Sequence, residues 1–200
     1  MIDCEKIKGY LDEKHKHVGP ISAFANNPKI TSNLIVYNFD KIKSDIYRDS
    51  CASVDVLLVK KNLNLIEFKT GFCAPDDSVN EKTKKENLQL RIRLKAYESL
   101  HLLQTAILEE IEEYGKLEPH IKTIFCAVID TERPEIGDEV YTDILADAGG
   151  IREYQSLKVK IAQDVLRLYR KETTAHKKLF YDETFVLYDY EFDSNIGMFK

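Results

Sequence analysis

The stretch from Ser53 to Gly71, Ser-Val-Asp-Val-Leu-Leu-Val-Lys-Lys-Asn-Leu-Asn-Leu-Ile-Glu-Phe-Lys-Thr-Gly, constrains the fold of this chain more than any other. Two runs of β-branched and aliphatic residues flank the polar Lys60-Lys61-Asn62, the pattern of two strands joined by a tight turn. Asp55, Glu67 and Lys69 stand where such strands are normally apolar. Charges are rarely buried unless a counter-charge or a metal compensates them.

Strand parity decides which of these groups can meet, because successive side chains point to opposite faces. Leu63, Leu65, Glu67 and Lys69 share one face of the second strand, and Asn64, Ile66 and Phe68 share the other. A three-residue loop, Lys60-Lys61-Asn62, pairs Val59 with Leu63, Leu57 with Leu65, and Asp55 with Glu67. Such loops commonly end in a residue of positive φ, which Asn62 tolerates. A two-residue turn would instead put the two carboxylates on opposite faces. Directly opposed β-carbons are about 4.5–5.5 Å apart. Two carboxylates at that separation repel unless a cation lies between them, and hard oxygen ligands suit Mg²⁺ or Mn²⁺. Asp55 and Glu67 are therefore expected metal ligands, with Lys69 beside them to orient a water or stabilise developing phosphoryl charge. The competing reading is a surface hairpin in which Asp55 and Glu67 pair with Lys69 or Lys61.

The rest of the chain predicts a mixed α/β domain. Cys4, Ile7, Tyr10 and Leu11 recur at helical spacing behind Asp3, a helix N-cap, giving a helix over Asp3–His15. Gly19-Pro20 and Asn26-Asn27-Pro28 mark a loop, and Leu34–Phe39 a strand. Phe72–Asn80 reads as a loop. Glu81–Tyr114 is the longest helical pattern, with Leu88, Ile92, Tyr97 or the stem of Lys95, Leu100, Leu103 and Ile107 as its apolar stripe. Ile121–Ile129 reads as a buried strand, Glu139–Asp147 as a short helix, Ile151–Lys171 as a long one and Thr184–Phe192 as a closing strand. Two hundred residues, 44% hydrophobic and 32% charged, suit a single domain spanning 1–200 with a full core. No apolar run is long enough for a membrane span. Cys4, Cys51, Cys73 and Cys126 form no C-x-x-C pair, so free thiols in a reducing cytoplasm are expected. The net charge of -5 gives no ground for a general affinity for nucleic acid and leaves that case to local clusters.

At Val54-Asp55 and Glu67-Phe68-Lys69 the chain resembles the PD-(D/E)xK nuclease superfamily, whose signature is an Asp on one strand and Glu-x-Lys on the next. Val54 stands where that signature has Pro. The resemblance implies a restriction-endonuclease-like core, helix–three-stranded meander–helix–strand, here followed by a further helix and strand. It implies Mg²⁺-dependent hydrolysis of nucleic-acid phosphodiesters, of DNA rather than RNA, with Asp55 and Glu67 as ligands and Lys69 as catalytic base or charge stabiliser. An RNA endonuclease on the same site, and a non-catalytic subunit retaining the fold, are the alternatives. Six basic residues against two acidic ones between Glu81 and Tyr97 give the following helix a basic start suited to a phosphate backbone. Lys84, Lys85, Gln89, Arg93 and Tyr97 are its candidate contacts, and Arg93-x-x-x-Tyr97 partly matches the Gln-x-x-x-Tyr of the lambda-exonuclease-like branch. Glu5, Glu13 and His15 are candidates for a further metal ligand from the first helix; Asp40, Asp45 and Asp49 read as surface residues. His101, His120 and His176 form no cluster.

Overall fold

The computed structural model describes residues 1–47, 51–69, 81–112, 115–129, 177 and 180–199, with side chains from residue 90 onward in the helix that begins at 81. Asp3 caps helix α1 (Cys4–Lys14) by accepting from Lys6 N at 2.8 Å, and Cys4, Ile7 and Leu11 form its buried stripe. The expected loop after α1 instead contains a short strand, β1 (Val18–Pro20), and one helical turn, α2 (Ile21–Phe24). Proline's fixed φ and missing N–H are tolerated at a strand end and just before a helix, so Gly19-Pro20 ends the strand without preventing it. The strand β2 (Ile35–Asn38) leads into α3 (Phe39–Ile46), whose first turn is capped by the Asn38 side chain.

The hairpin follows as β3 (Val56–Val59) and β4 (Leu63–Lys69). Helix α4 (Glu81–Leu102) runs on through a π-helical segment, Leu103–Leu108, into α5 (Glu109–Ile111). The strands β5 (Thr123–Ile129) and β6 (Glu183–Tyr188) complete the sheet. The expected closing strand stops four residues early, because Asp189–Asn195 folds as α6, its start held by Tyr188 N donating to Glu191 Oε2 at 3.2 Å. The expected helices over Glu139–Asp147 and Ile151–Lys171, and the loop over Phe72–Asn80, lie outside the described residues.

The six strands lie in the order β1-β2-β3-β4-β5-β6. Pairing is antiparallel from β1 to β4 and parallel from β4 to β6. The architecture is thus an α/β fold with a mixed sheet. One sheet face, carrying Leu57, Leu63, Leu65 and Phe125, packs with residues of α1 and α4, including Ile7, Leu11, Ile92 and Leu100. The other, carrying Val56, Ile66, Phe68 and Cys126, packs with Ile21 of α2 and Phe192 of α6. A central strand buried on both faces normally reads as a continuous apolar run. In β4 the interruptions are Asn64 and Glu67, both buried. Asn64 serves the hairpin itself, donating to the carbonyls of Leu58 (3.2 Å) and Asn62 (3.3 Å). Glu67 has no such backbone duty.

Cys4 and Cys126 are buried free thiols and Cys51 a half-buried one; Cys73 lies outside the described residues. Among the described residues no helix is long and apolar enough to cross a membrane.

The chain leading into β3 is tied to α4 by Ser99, whose Oγ accepts from Val54 N at 2.8 Å with both residues buried. Ser99→Ala leaves that N–H without a partner and is expected to lower unfolding free energy by about 1–3 kcal/mol, read by chemical denaturation. Ser99→Thr, which keeps the hydroxyl, should recover part of it.

Candidate functional site

The β3–β4 register follows the three-residue turn. Val59 pairs with Leu63, Leu57 with Leu65 and Val56 with Ile66. One step further, at the mouth of β3, Asp55 faces Glu67 from the same side of the sheet. The turn does this without the expected backbone conformation: positive φ occurs at Lys16 and Asn26, not at Asn62. Asn62 closes the turn through hydrogen bonds, its carbonyl accepting from Lys60 N (3.1 Å) and its Oδ1 from Lys122 N (3.2 Å). Side-chain and backbone bonding thus replace the left-handed residue.

The Asp55 carboxylate folds over the end of β4, Oδ2 accepting from Phe68 N at 2.5 Å, while the Asp55 carbonyl accepts from Phe39 N at 2.9 Å. Glu67 is 1% exposed, so the hairpin is no surface feature. Its Oε1 lies against Lys69 Nζ as an ion pair. Its Oε2 accepts from Lys95 Nζ of α4 at 2.8 Å, and the same nitrogen lies 3.7 Å from Asp55 Oδ1. Two carboxylates and two ammonium groups therefore form one cluster. A cation does lie between the carboxylates, but it is Lys95. The cation that two facing carboxylates demand is thus available within the chain, as the Lys95 ammonium.

Burial and the neighbouring Asp55 charge push the Glu67 carboxyl up to about 7, against the pull of Lys95 and Lys69. Burial also raises Asp55, opposed by Lys95 and by the Phe68 N–H, and reinforced by Asp40. Burial disfavours the Lys95 charge, yet Glu67 and Asp55 together hold its ammonium above the usual lysine value. Asp40, read from sequence as a surface residue, belongs to this neighbourhood: its Oδ1 accepts from Ser53 Oγ, and its charge acts on both Asp55 and Lys95. It sits in the first turn of α3, which β2 delivers to the same end of the sheet.

Lys95 carried a signal that sequence reading left unresolved. Buried Ile92, Ala96, Ser99, Leu103 and Ile107 follow one another at steps of three and four, a phase that turns Lys95 inward and Tyr97 outward. Tyr97 is 54% exposed, with its ring edge-on to Phe180 at 5.0 Å, so it does not belong to the buried stripe. Arg93 is exposed on the same helix, and α4 begins at Glu81 as expected; the side chains of Lys84, Lys85, Gln89 and Leu88 lie outside the described residues.

The first-helix candidates are placed elsewhere. Glu5 pairs with Lys8 and Glu13 with Lys14. His15 Nδ1 and His17 Nε2 converge on Asp45 Oδ2 at 3.2 and 2.9 Å. Among the described residues neither Glu13 nor His15 makes a hydrogen bond or ion pair with Asp55 or Glu67, and no group of three His, Cys, Asp or Glu side chains is arranged to hold a metal. Asp49 lies outside the described residues. Mg²⁺ is commonly bound through only one or two carboxylates with waters and substrate phosphates completing its shell, so the Asp55 and Glu67 oxygen pair fits such an ion. No family model, curated protein or solved structure matches this chain.

Removing one partner of a buried ion pair costs more than the pair contributes, because the other charge is stranded. Lys95→Met is accordingly expected to destabilise the protein by about 3 kcal/mol at alkaline pH without added metal. The sign with pH follows from Glu67, whose carboxyl is raised in the folded state, so its ionisation lowers stability as pH climbs from its unfolded value through about 7. Lys95 opposes that loss. The deficit of the variant should therefore shrink towards about pH 5 and grow towards about pH 9, as read by urea denaturation across that range.

Proposed function

We propose that this chain is a metal-dependent nuclease that hydrolyses phosphodiester bonds of DNA on a restriction-endonuclease-like core formed by α1, β2, β3, β4, α4 and β5. The observation that carries the reading is the convergence of Asp55 and Glu67 across the hairpin, with Lys69 on the same face. Three further features support it. The cluster lies at the carboxyl end of β4, where the sheet changes from antiparallel to parallel, and carboxyl ends of strands are where open α/β sheets bind ligands. Asp55, Lys69 and Lys95 each keep about a fifth of their side-chain surface accessible, so the cluster opens on one side. Exposed Arg91 and Arg93 continue the basic character of α4 close to Lys95.

Asp55 and Glu67 would hold Mg²⁺ or Mn²⁺. When bound, such an ion lowers the pKa of a coordinated water and polarises a phosphoryl oxygen. The protein supplies the rest. The Phe68 N–H fixes the Asp55 carboxylate, and burial of Glu67 excludes bulk water from its side of the cluster. Lys69 Nζ, held against Glu67, presents an ammonium at the open side that can orient a water or neutralise charge developing on phosphate oxygens. Arg93 and Tyr97 are suited to the sugar-phosphate backbone and to stacking on a base.

One observation favours a second reading. Lys69 and Lys95 both pair with Glu67, and Lys95 also approaches Asp55, so each carboxylate has a cationic neighbour without a metal. A subunit that keeps the nuclease fold and binds nucleic acid or protein without cutting would have this property.

Digestion of double-stranded DNA, single-stranded DNA and RNA with Mn²⁺ or Mg²⁺ separates these readings. Wild type should cut DNA with metal and not with chelator, and Asp55→Ala or Glu67→Ala should reduce cutting about a thousandfold and remove the metal-induced rise in Tm. Lys69→Ala should lose cleavage but keep that rise. Preferential cutting of RNA would move the substrate, not the site. Metal binding with no cutting of any polymer would favour the non-catalytic subunit, and absence of metal binding would remove the nuclease reading.

A further inference from the structure

Resting on the nuclease reading, we propose that Lys95 is an internal counter-ion that a divalent cation must displace, so that metal binding and release of the Lys95 ammonium are a single event. The available oxygens carry the argument. Asp55 Oδ2 is committed to Phe68 N, and Glu67 Oε1 faces Lys69. The oxygens left to receive a metal are Asp55 Oδ1 and Glu67 Oε2. Those are the two that Lys95 Nζ approaches, at 3.7 and 2.8 Å.

An ion bound by those oxygens would sit about 2.0–2.1 Å from each. Lys95 in its present position would then lie within a few ångströms of a divalent charge. Like charges at that range, beside a carboxylate 1% exposed to solvent, repel with little screening. The two cations cannot share the position, and the flexible one gives way. Lys95 can do so: its side chain is 20% exposed and reaches the cluster on a four-carbon stem from α4 rather than from the sheet. Its natural new partner is an anion entering from the open side, and a phosphodiester oxygen is that anion in the nuclease reading. Metal and nucleic acid would thereby favour each other's binding, since each makes room or provides a partner for what the other disturbs.

Two measurements test this. The first labels lysines of the wild-type protein with an amine-reactive acetylating reagent, read by peptide mass spectrometry with and without Mn²⁺. Acetylation of Lys95 should rise several-fold on adding Mn²⁺, while Lys122, paired with Glu183 and exposed, should not change. The second titrates Mn²⁺ into Lys95→Met by calorimetry, where affinity should exceed that of wild type by about tenfold because the competitor is gone. A wild type that binds Mn²⁺ with an unchanged Lys95 labelling rate overturns the proposal, whatever the variant does, and so does equal or weaker binding by a folded Lys95→Met. If Lys95→Met does not fold, the labelling of wild type decides. If wild type binds no Mn²⁺, the nuclease reading falls and this inference falls with it, whatever the variant does.

Discussion

The structure depends on how a carboxyl group is accommodated inside a sheet. Glu67 sits in the central strand, buried, with a helix on its side of the sheet and a hydrophobic core on the other. Removing an ion from water costs several kcal/mol even after local relaxation, and one well-placed opposite charge returns an amount of the same order. Glu67 receives two, Lys69 from its own strand and Lys95 from α4. It also faces Asp55, which takes part of that benefit away, and its carboxyl consequently rises to about 7. The balance is close, and a close balance is what lets a small change of charge nearby alter the cluster.

Two helices that pack on the sheet through apolar residues also bring polar groups to that cluster. Helix α4 brings Lys95 to the carboxylates and, one turn on, Ser99 to the backbone of Val54. Helix α3 brings Asp40 to Ser53 on the opposite flank. The chain that leads into β3 is thus gripped by side chains from two helices at the residues just before Asp55. Its carboxylate is further pinned by the backbone of β4. Little freedom remains for Asp55, so whatever binds there meets a preformed oxygen rather than one that must be ordered first.

Much of this was legible in the sequence, and what was not has a physical reason. The hairpin, its register and the facing of Asp55 and Glu67 follow from period-two parity and a loop of fixed length, both local properties. Asp3 as the α1 cap and the buried β5 are local in the same sense. The conformation of Asn62 was misjudged because the bond from Lys122 that holds its side chain comes from sixty residues away. The partnership of Lys95 with Glu67 spans twenty-eight residues, and no pattern of spacing encodes it. Phase along α4 could place Lys95 on the inner side, but a lysine there is equally compatible with a stem lying along the core and a head in water. Only the tertiary packing of α4 on the sheet decides between them.

The same packing changes what the motif means. An Asp and a Glu-x-Lys on adjacent strands, taken by themselves, leave two negative charges facing one positive charge, and that arithmetic asks for a cation from outside. With Lys95 the count closes within the chain. Holding the two carboxylates together then requires no ion from outside the chain. In a site whose carboxylates are held solely by metal, loss of the ion strands them and destabilises the protein. Here the ammonium can take the ion's place, so the carboxylates stay together and the strands stay in register whether or not metal is present. Lys95 thereby occupies the space between the two carboxylate oxygens, Asp55 Oδ1 and Glu67 Oε2, that the hairpin brings together.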